Sequence, residues 1–169
     1  MHPNHTPVAE LMSPNVLTIG PTARAHEVLS LAHERGVHHF PIVDEARLVG
    51  IVCTCDLEEL GPDQGVLQVA WRHVVTVPPT SPVSDAARLM ALQGVGSVVV
   101  TDERGVCGIV TREDLVRADP ELDKLLSEAH CAACGARSHL RPGPDGQCLC
   151  QSCQARAKDG TGLEVGGDG

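Results

Sequence analysis

The chain has 169 residues, a formal net charge of −9 and 42% hydrophobic residues, and its only aromatic residues are Phe40 and Trp71. This composition fits one domain with an aliphatic core and a small appendage. It disfavours a general nucleic-acid binder, because such binding depends on basic side chains. No apolar run approaches the roughly 20 residues that span a bilayer. The first residues also lack the pattern of a signal peptide, so a cytoplasmic protein without a membrane partner is expected.

An internal repeat organises most of the chain. Gly36–Leu57 (GVHHFPIVDEARLVGIVCTCDL) aligns without a gap on Gly94–Leu115 (GVGSVVVTDERGVCGIVTREDL), 58 residues later. Leu17–Thr22 and Val75–Thr80 keep the same offset. A unit of about sixty residues buries little surface alone. The repeat therefore predicts two copies packed with pseudo-twofold symmetry, and the seam between them is a natural place for a ligand site.

The first copy predicts a short helix, a strand, a longer helix and a hairpin, at Val8–Met12, Val16–Ile19, Thr22–Arg35, and His39–Val43 with Leu48–Cys53. The second copy repeats them at Val66–Ala70, Val74–Val77, Ser81–Gln93, and Ser97–Thr101 with Val106–Val110. Thr22 is the expected N-cap of the first long helix. Gly36 and Gly94 stand where a helix C-cap favours glycine.

Each copy then closes with a short acidic helix, which begins near Cys53 in the first copy and near Thr111 in the second. The predicted fold class is α/β (α+β), with two βαββα units and a small C-terminal cysteine ribbon. A helix is expected over Leu115–Ala129, interrupted near Pro120. The expected divisions are repeat 1 at 6–60, repeat 2 at 61–118, a linking helix at 119–130, a metal module at 131–157 and a flexible tail at 158–169.

Four stretches in this order resemble the cystathionine-β-synthase (CBS) domain, and the tandem resembles the paired CBS module often called a Bateman domain. They are AELMSPNVLTIGP (Ala9–Pro21), GVHHFPIVDE (Gly36–Glu45), LVGIVCTCDL (Leu48–Leu57) and GVCGIVTREDL (Gly105–Leu115). The resemblance covers about residues 6–118. It implies a regulatory protein that forms homodimers. It also implies that the cleft between the repeats binds AMP, ADP, ATP or a related adenosyl ligand. The sequence offers no nucleophile–base pair and no open metal site, so an enzyme is not expected.

The resemblance also implies which residues contact the ligand. In the second repeat, the favoured site, they are Thr76, Val77, Ser97, Val98, Val99, Thr111, Arg112 and Asp114. In the first repeat they are Thr18, Ile19, His38, His39, Phe40, Pro41, Cys53 and Asp56. The aspartate of T-x-x-D would accept both ribose hydroxyls. Cys53 stands where the family has threonine and Val99 where it usually has proline, so two unequal sites are expected.

Simpler interpretations stand beside these. Thr111 and Asp114 at a helix start are also the residues of an ordinary capping arrangement. His38 and His39 are equally well explained as surface residues beside a strand. Cys53, Cys55 and Cys107 are expected to be small buried side chains rather than reactive thiols, since free cysteine is among the most buried residue types.

The C-terminal segment has the spacing C-x2-C, fifteen residues, C-x2-C. Two such pairs direct four sulfurs at one centre, which is typical of a structural zinc site. The predicted ligands are Cys131, Cys134, Cys150 and Cys153, with Cys148 as an extra thiol and His139 as a substitute ligand. The segment resembles a zinc ribbon, and iron in a rubredoxin-like site would use the same ligands.

Together these features predict a sensor in which an adenine nucleotide binds between the repeats and the metal ribbon is an output or interaction element. A protein partner at the ribbon is favoured over nucleic acid, because a zinc tetrathiolate offsets the few basic side chains nearby. Two alternatives remain open: a nucleic-acid-binding regulator acting through the ribbon, and a protein–protein adaptor whose clefts bind no ligand.

Overall fold

The computed structural model describes residues 5–133, 135, 140–142, 148–150 and 153–154. The elements in chain order are α1 Ala25–Arg35, β1 His39–Asp44, β2 Arg47–Cys53, α2 Thr54–Leu57, β3 Thr76–Val77, α3 Val83–Gln93, β4 Ser97–Asp102, β5 Gly105–Thr111, α4 Arg112–Ala118, α5 Leu122–Ser127, β6 Leu140–Pro142 and β7 Cys148–Cys150. The two repeats form matching α/β units, as their alignment predicts.

Both predicted hairpins are confirmed, and they share the same irregularity. β1 pairs antiparallel with β2, and β4 pairs antiparallel with β5. The register shifts between Ile42 and Val43 in one hairpin and at the equivalent position, between Val100 and Thr101, in the other. The strand before each long helix is shorter than predicted. β3 runs parallel to β4 over two residues, and in the first repeat only Ile19 forms such a bridge.

The long helices begin later than predicted and end where predicted. Thr22 is not the N-cap of α1; that position is Arg24, whose backbone N–H donates to the Glu27 carboxylate at 2.9 Å. The helix cannot start earlier because Arg24 is held in an extended bridge with Gly65. Gly36 and Gly94 end α1 and α3 in left-handed conformations with φ of 65° and 64°. Glycine adopts this conformation without the steric cost that a Cβ imposes.

The short segment that precedes each repeat packs on the other repeat. Both segments form single 3₁₀ turns, Val8–Glu10 and Val66–Gln68, which are shorter than the predicted helices. The N–H of Val8 donates to Ser81 at 2.8 Å, and the N–H of Val66 donates to the equivalent carbonyl of Ala23 at 3.0 Å. The two repeats are therefore interlocked by an exchange of their leading turns.

The exchange also shapes the two aliphatic cores. The first contains Val66 together with Phe40, Ile42 and Leu57 of repeat 1. The second contains Val8 together with the apolar side chains of repeat 2 and with Leu122 and Leu126 of α5: Val77, Val83, Ala86, Ala87, Met90, Val98, Val100, Val110 and Leu115. Each core is thus completed by a valine from the segment that precedes the other repeat.

Helix α4 closes the second repeat and α5 follows it, with a break around Pro120, as predicted. Beyond them lies the cysteine ribbon, by which we mean Cys131, the antiparallel pair β6–β7, and Cys153. Cys134, His139 and the tail at 158–169 lie outside the described residues. Within the part of the chain that is described, no helix has the length and apolar character needed to cross a membrane.

Candidate functional site

The seam between the repeats contains two adjoining cavities. Strands β2 and β5 contact each other across it, and cavities of about 30 and 310 Å³ lie beside them. Both cavities are lined by His39 and Cys53 from the first repeat and by Val95 and Gly96 from the second. The larger one is also lined by Arg112. Residues of both repeats therefore meet at one place, as the pseudo-twofold packing predicts.

The predicted site residues differ in how they reach this seam. Four line one or both cavities: His39, Cys53, Ser97 and Arg112. Several others are buried: Phe40, Pro41, Asp56, Val77, Val98 and Val99. The other six are intermediate or exposed: Ile19, Thr111 and Asp114 are intermediate, and Thr18, His38 and Thr76 are exposed. The buried apolar side chains belong to the protein interior, so a ligand would meet these strands through their backbone.

In the second repeat, Thr111 and Asp114 form a reciprocal capping box at the start of α4. The N–H and hydroxyl of Thr111 donate to one Asp114 carboxylate oxygen at 2.9 and 2.7 Å. Arg117 donates to the other oxygen. The side chain of Asp114 is 13% exposed. Thr111 and Asp114 therefore do form the ordinary helix cap. The cap also fixes the orientation of a carboxylate that can accept further hydrogen bonds.

Arg112 connects the seam to α5. Its guanidinium donates to the Asp123 carboxylate at 2.6 Å and to the Ser127 hydroxyl at 2.8 Å. The side chains of Arg112 and Asp123 are 43% and 57% exposed. Such exposed ion pairs contribute only about 0–1 kcal/mol, so an anion in the larger cavity can compete for this guanidinium at little cost.

In the first repeat, the equivalent aspartate has a different hydrogen-bond partner. Asp56 is 9% exposed and lies in α2. Its carboxylate accepts a hydrogen bond from the indole N–H of Trp71 at 3.2 Å. Cys53, at the N-cap of α2, makes no side-chain capping bond. The indole therefore occupies the carboxylate that would receive a ribose, and the two halves of the seam are chemically unequal.

Trp71 was not among the site residues predicted from the sequence, although the internal repeat contains the signal. Trp71 and Ile51 exchange two backbone hydrogen bonds, of 2.8 and 2.9 Å. Ser13 and Ile109, at the same 58-residue offset, exchange the corresponding pair of 2.9 and 3.2 Å. Positions 13 and 71 are therefore equivalent by symmetry, and one carries a hydroxymethyl group where the other carries an indole.

The profile of the CBS domain matches residues 8–60 and 66–121, the two interlocked units described above. The chain belongs to the CBS-domain family. As a tandem CBS pair it has the mixed α/β fold expected of that family, and the matched stretches make up well over half of its length.

Similar solved structures include proteins in complex with adenosyl compounds. The CBS domain pair of protein MJ0100, in complex with 5′-methylthioadenosine and S-adenosyl-L-methionine, has a TM-score of 0.64 and 29% identity over 69% of this chain and 97% of that chain. The cytosolic domain of the Mg²⁺ channel MgtE, in complex with ATP, has a TM-score of 0.57 and 27% identity over 63% and 46%.

Among curated proteins, uncharacterized protein MJ1232 of Methanocaldococcus jannaschii is 31% identical over 105 residues, which are 60% of this chain. The chain covers 36% of MJ1232 and 44% of MJ0188 from the same organism, so it spans less than half the length of these relatives.

The cysteines of the CBS repeats are not uniformly buried. Cys53 is buried and Cys107 is partly buried, but Cys55 is exposed, so the prediction of a buried side chain is wrong for Cys55. The sulfurs of Cys53 and Cys55 lie 3.4 Å apart. The hydrogen bond between the Cys53 and Cys55 thiols is the main cause that raises the pKa of Cys55, and burial is the main cause that raises the pKa of Cys107. Both thiols are therefore protonated at neutral pH.

The ribbon beyond the CBS repeats brings three cysteines together. The sulfurs of Cys131, Cys150 and Cys153 all lie within 4.8 Å of one another and are buried. Cys148 is not in this cluster. Its pKa is raised mainly by burial and to a smaller extent by the charges of Cys131 and Cys150. Four sulfurs bound tetrahedrally at about 2.3 Å from zinc would lie about 3.8 Å apart. The three described positions fit this arrangement.

Proposed function

We propose that this tandem CBS pair is a sensor that binds an adenine nucleotide or related adenosyl ligand at the seam, mainly in the second repeat. The observations that carry the proposal are the capped, partly exposed Asp114 carboxylate and, two residues earlier on α4, Arg112, which lines the cavity of about 310 Å³. The MJ0100 and MgtE structures support the ligand class, because both contain adenosyl compounds.

Different residues would contact the three parts of the ligand. The ribose diol would donate to Asp114, since an ionised carboxylate accepts two such hydrogen bonds. An anionic or polar 5′ group would contact Arg112. The adenine would lie against strand backbone around Ser97 and the aliphatic residues beside it, which requires no aromatic stacking. Signalling would follow from a population shift, because a ligand that bridges the repeats favours one arrangement of the seam over another.

A calorimetric titration tests this proposal. 5′-Methylthioadenosine, S-adenosylmethionine, AMP, ADP and ATP are each titrated into the full chain. We expect at least one to bind with a Kd well below about 1 mM and with one ligand per chain, because Trp71 already engages the first-repeat carboxylate. If none of the five binds in this range, the adaptor alternative replaces the sensor.

The ribbon is proposed to hold one structural metal ion, with zinc favoured and iron as the alternative. Three thiols converge at Cys131, Cys150 and Cys153, and the sequence spacing supplies Cys134 as the fourth ligand. Four thiolates would leave no open coordination position, so the metal would hold the ribbon together rather than react. So short a segment cannot form a core, and metal binding would supply its folding free energy.

Replacing one clustered cysteine should remove this metal. The wild-type chain, loaded with Co²⁺ in place of Zn²⁺, should show thiolate-to-metal absorption and one ion per chain by elemental analysis. Cys150→Ser should weaken metal binding by at least about 100-fold, because it removes one of four strong ligands. Cys107→Ser, a thiol in the second repeat, is the control and should bind normally. Equal metal content in both variants would contradict the assignment.

A further inference from the structure

The cysteine ribbon lies against the end of α3 in the second CBS repeat. Strand β6 contacts α3, and the contact centres on Gly94. A Cβ built at Gly94 would be 2.7 Å from the Cβ of Leu140 and would overlap the sulfur of Cys148. The ribbon therefore approaches the helix end at a position where only glycine leaves enough space.

Strand β7 joins this contact to the cysteine cluster. Cys150 belongs to the cluster, and Cys148, two residues earlier on the same strand, contacts Gly94. Side chains two apart on a strand point to the same face. The carbonyl of Cys148 also accepts a hydrogen bond of 2.7 Å from the N–H of Ala132, next to Cys131. An ion that fixes the cluster would thus also fix the surface that meets Gly94.

The same ribbon closes one side of the larger seam cavity. The cavity wall takes His39 and Cys55 from repeat 1, Arg112 from repeat 2, Ser127 from α5, and Leu140 from the ribbon. Leu140 therefore both packs against Gly94 and lines the larger cavity. Arg112, which we assign to the ligand, is bonded to Ser127 in the same wall.

We infer that the cysteine ribbon is a wall of the ligand site, so that metal binding in the ribbon and adenosyl-ligand binding at the seam strengthen each other. The inference rests on the proposed function, since it concerns the regulation of that same site. Coupling of this kind is reciprocal: the factor by which metal tightens the ligand equals the factor by which ligand tightens the metal.

The chain provides a matched control for the Gly94 contact. Gly36 ends α1 with φ 65° and ψ 33°, and Gly94 ends α3 with φ 64° and ψ 33°. A Cβ at Gly36 would meet nothing within 4 Å, whereas a Cβ at Gly94 would collide with the ribbon. Gly36→Ala and Gly94→Ala thus impose the same backbone strain, and only the second displaces the ribbon.

The first experiment measures docking alone, without any ligand. Zinc-saturated wild type, Gly36→Ala and Gly94→Ala are treated with N-ethylmaleimide, and modification of Cys148 is followed by peptide mass spectrometry. We expect slow modification in wild type and Gly36→Ala and at least about fivefold faster modification in Gly94→Ala, since opening of the contact exposes the thiol. Equal rates in the two variants would overturn the docking contact.

The second experiment measures coupling. The Kd of 5′-methylthioadenosine and of ATP is determined for zinc-saturated and metal-free wild type and for both zinc-saturated variants. We expect metal removal and Gly94→Ala each to raise the Kd by at least about fivefold, the lower end of ordinary allosteric coupling, and Gly36→Ala to change it less than twofold. If binding is unchanged by metal removal and by Gly94→Ala, the coupling is wrong and the sensor proposal stands. If zinc-saturated wild type binds neither compound nor any other adenosyl ligand, both fail.

Discussion

Asp114→Ala should abolish adenosyl-ligand binding at the second repeat. The substitution removes the carboxylate that would accept both ribose hydroxyls. Hydrogen bonds to a charged group contribute about 1.5–3 kcal/mol each, and 1.4 kcal/mol corresponds to tenfold in Kd. We therefore expect the Kd to rise by at least about 100-fold in calorimetry. The variant also loses the capping box with Thr111, which costs about 1 kcal/mol of stability, so its thermal unfolding is measured alongside.

Two further variants separate the ligand role from the capping role. Asp114→Asn keeps an acceptor oxygen for the cap but loses the charge, and it should also bind weakly. Asp56→Ala removes the equivalent carboxylate of the first repeat, which is bonded to Trp71, and it should leave binding at the second repeat unchanged. Normal binding by Asp114→Ala would show that this carboxylate is only a helix cap, even though the chain is a CBS pair.

Trp71→Ser should open a second ligand site and raise the stoichiometry from one to two. It places at position 71 the residue that symmetry places at position 13, and it removes the indole that donates to Asp56 at 3.2 Å. The new site should be the weaker one, because Cys53 replaces the threonine and a thiol is a poor hydrogen-bond partner. Since Trp71 is half-buried, the loss of stability should be below the 3–5 kcal/mol of a fully buried aromatic residue.

The reciprocal variant, Ser13→Trp, tests the same idea at the other half of the seam. An indole at position 13 should reach toward Asp114 as Trp71 reaches toward Asp56, and it should weaken ligand binding at the second repeat. Calorimetric stoichiometry is the deciding measurement for both variants. A Trp71→Ser protein that is folded and still binds one ligand per chain would show that the indole is not what separates the two sites.

Local sequence features predicted much of the fold because they depend on near neighbours. The two hairpins and the glycines Gly36 and Gly94 that end the long helices were predicted correctly. The N-cap of α1 was not, because Arg24 is held by a bridge to Gly65, 41 positions along the chain. Homodimer formation and a protein partner at the ribbon remain predictions.

The candidate site was predicted in part, because some of its features are local in sequence. The T-x-x-D motif and the cysteine spacing are visible in the sequence, and the structure brings Cys131, Cys150 and Cys153 together. The contact between Trp71 and Asp56 was not predicted, because it depends on how the segment between the repeats returns to the first one. A periodic apolar pattern shows that a face is buried but not which surface covers it.

The sequence by itself determined that two copies of one unit pack together and that they differ at Thr111 against Cys53. Only the tertiary structure decided that each leading turn completes the other repeat's core and that the ribbon rests on Gly94. The physical reason is that aligning the repeats compares single positions, whereas docking depends on how surfaces distant in sequence fit together. Gly94 is an example: the sequence predicts that a helix ends there, but only the structure shows that the absence of a Cβ leaves room for the ribbon.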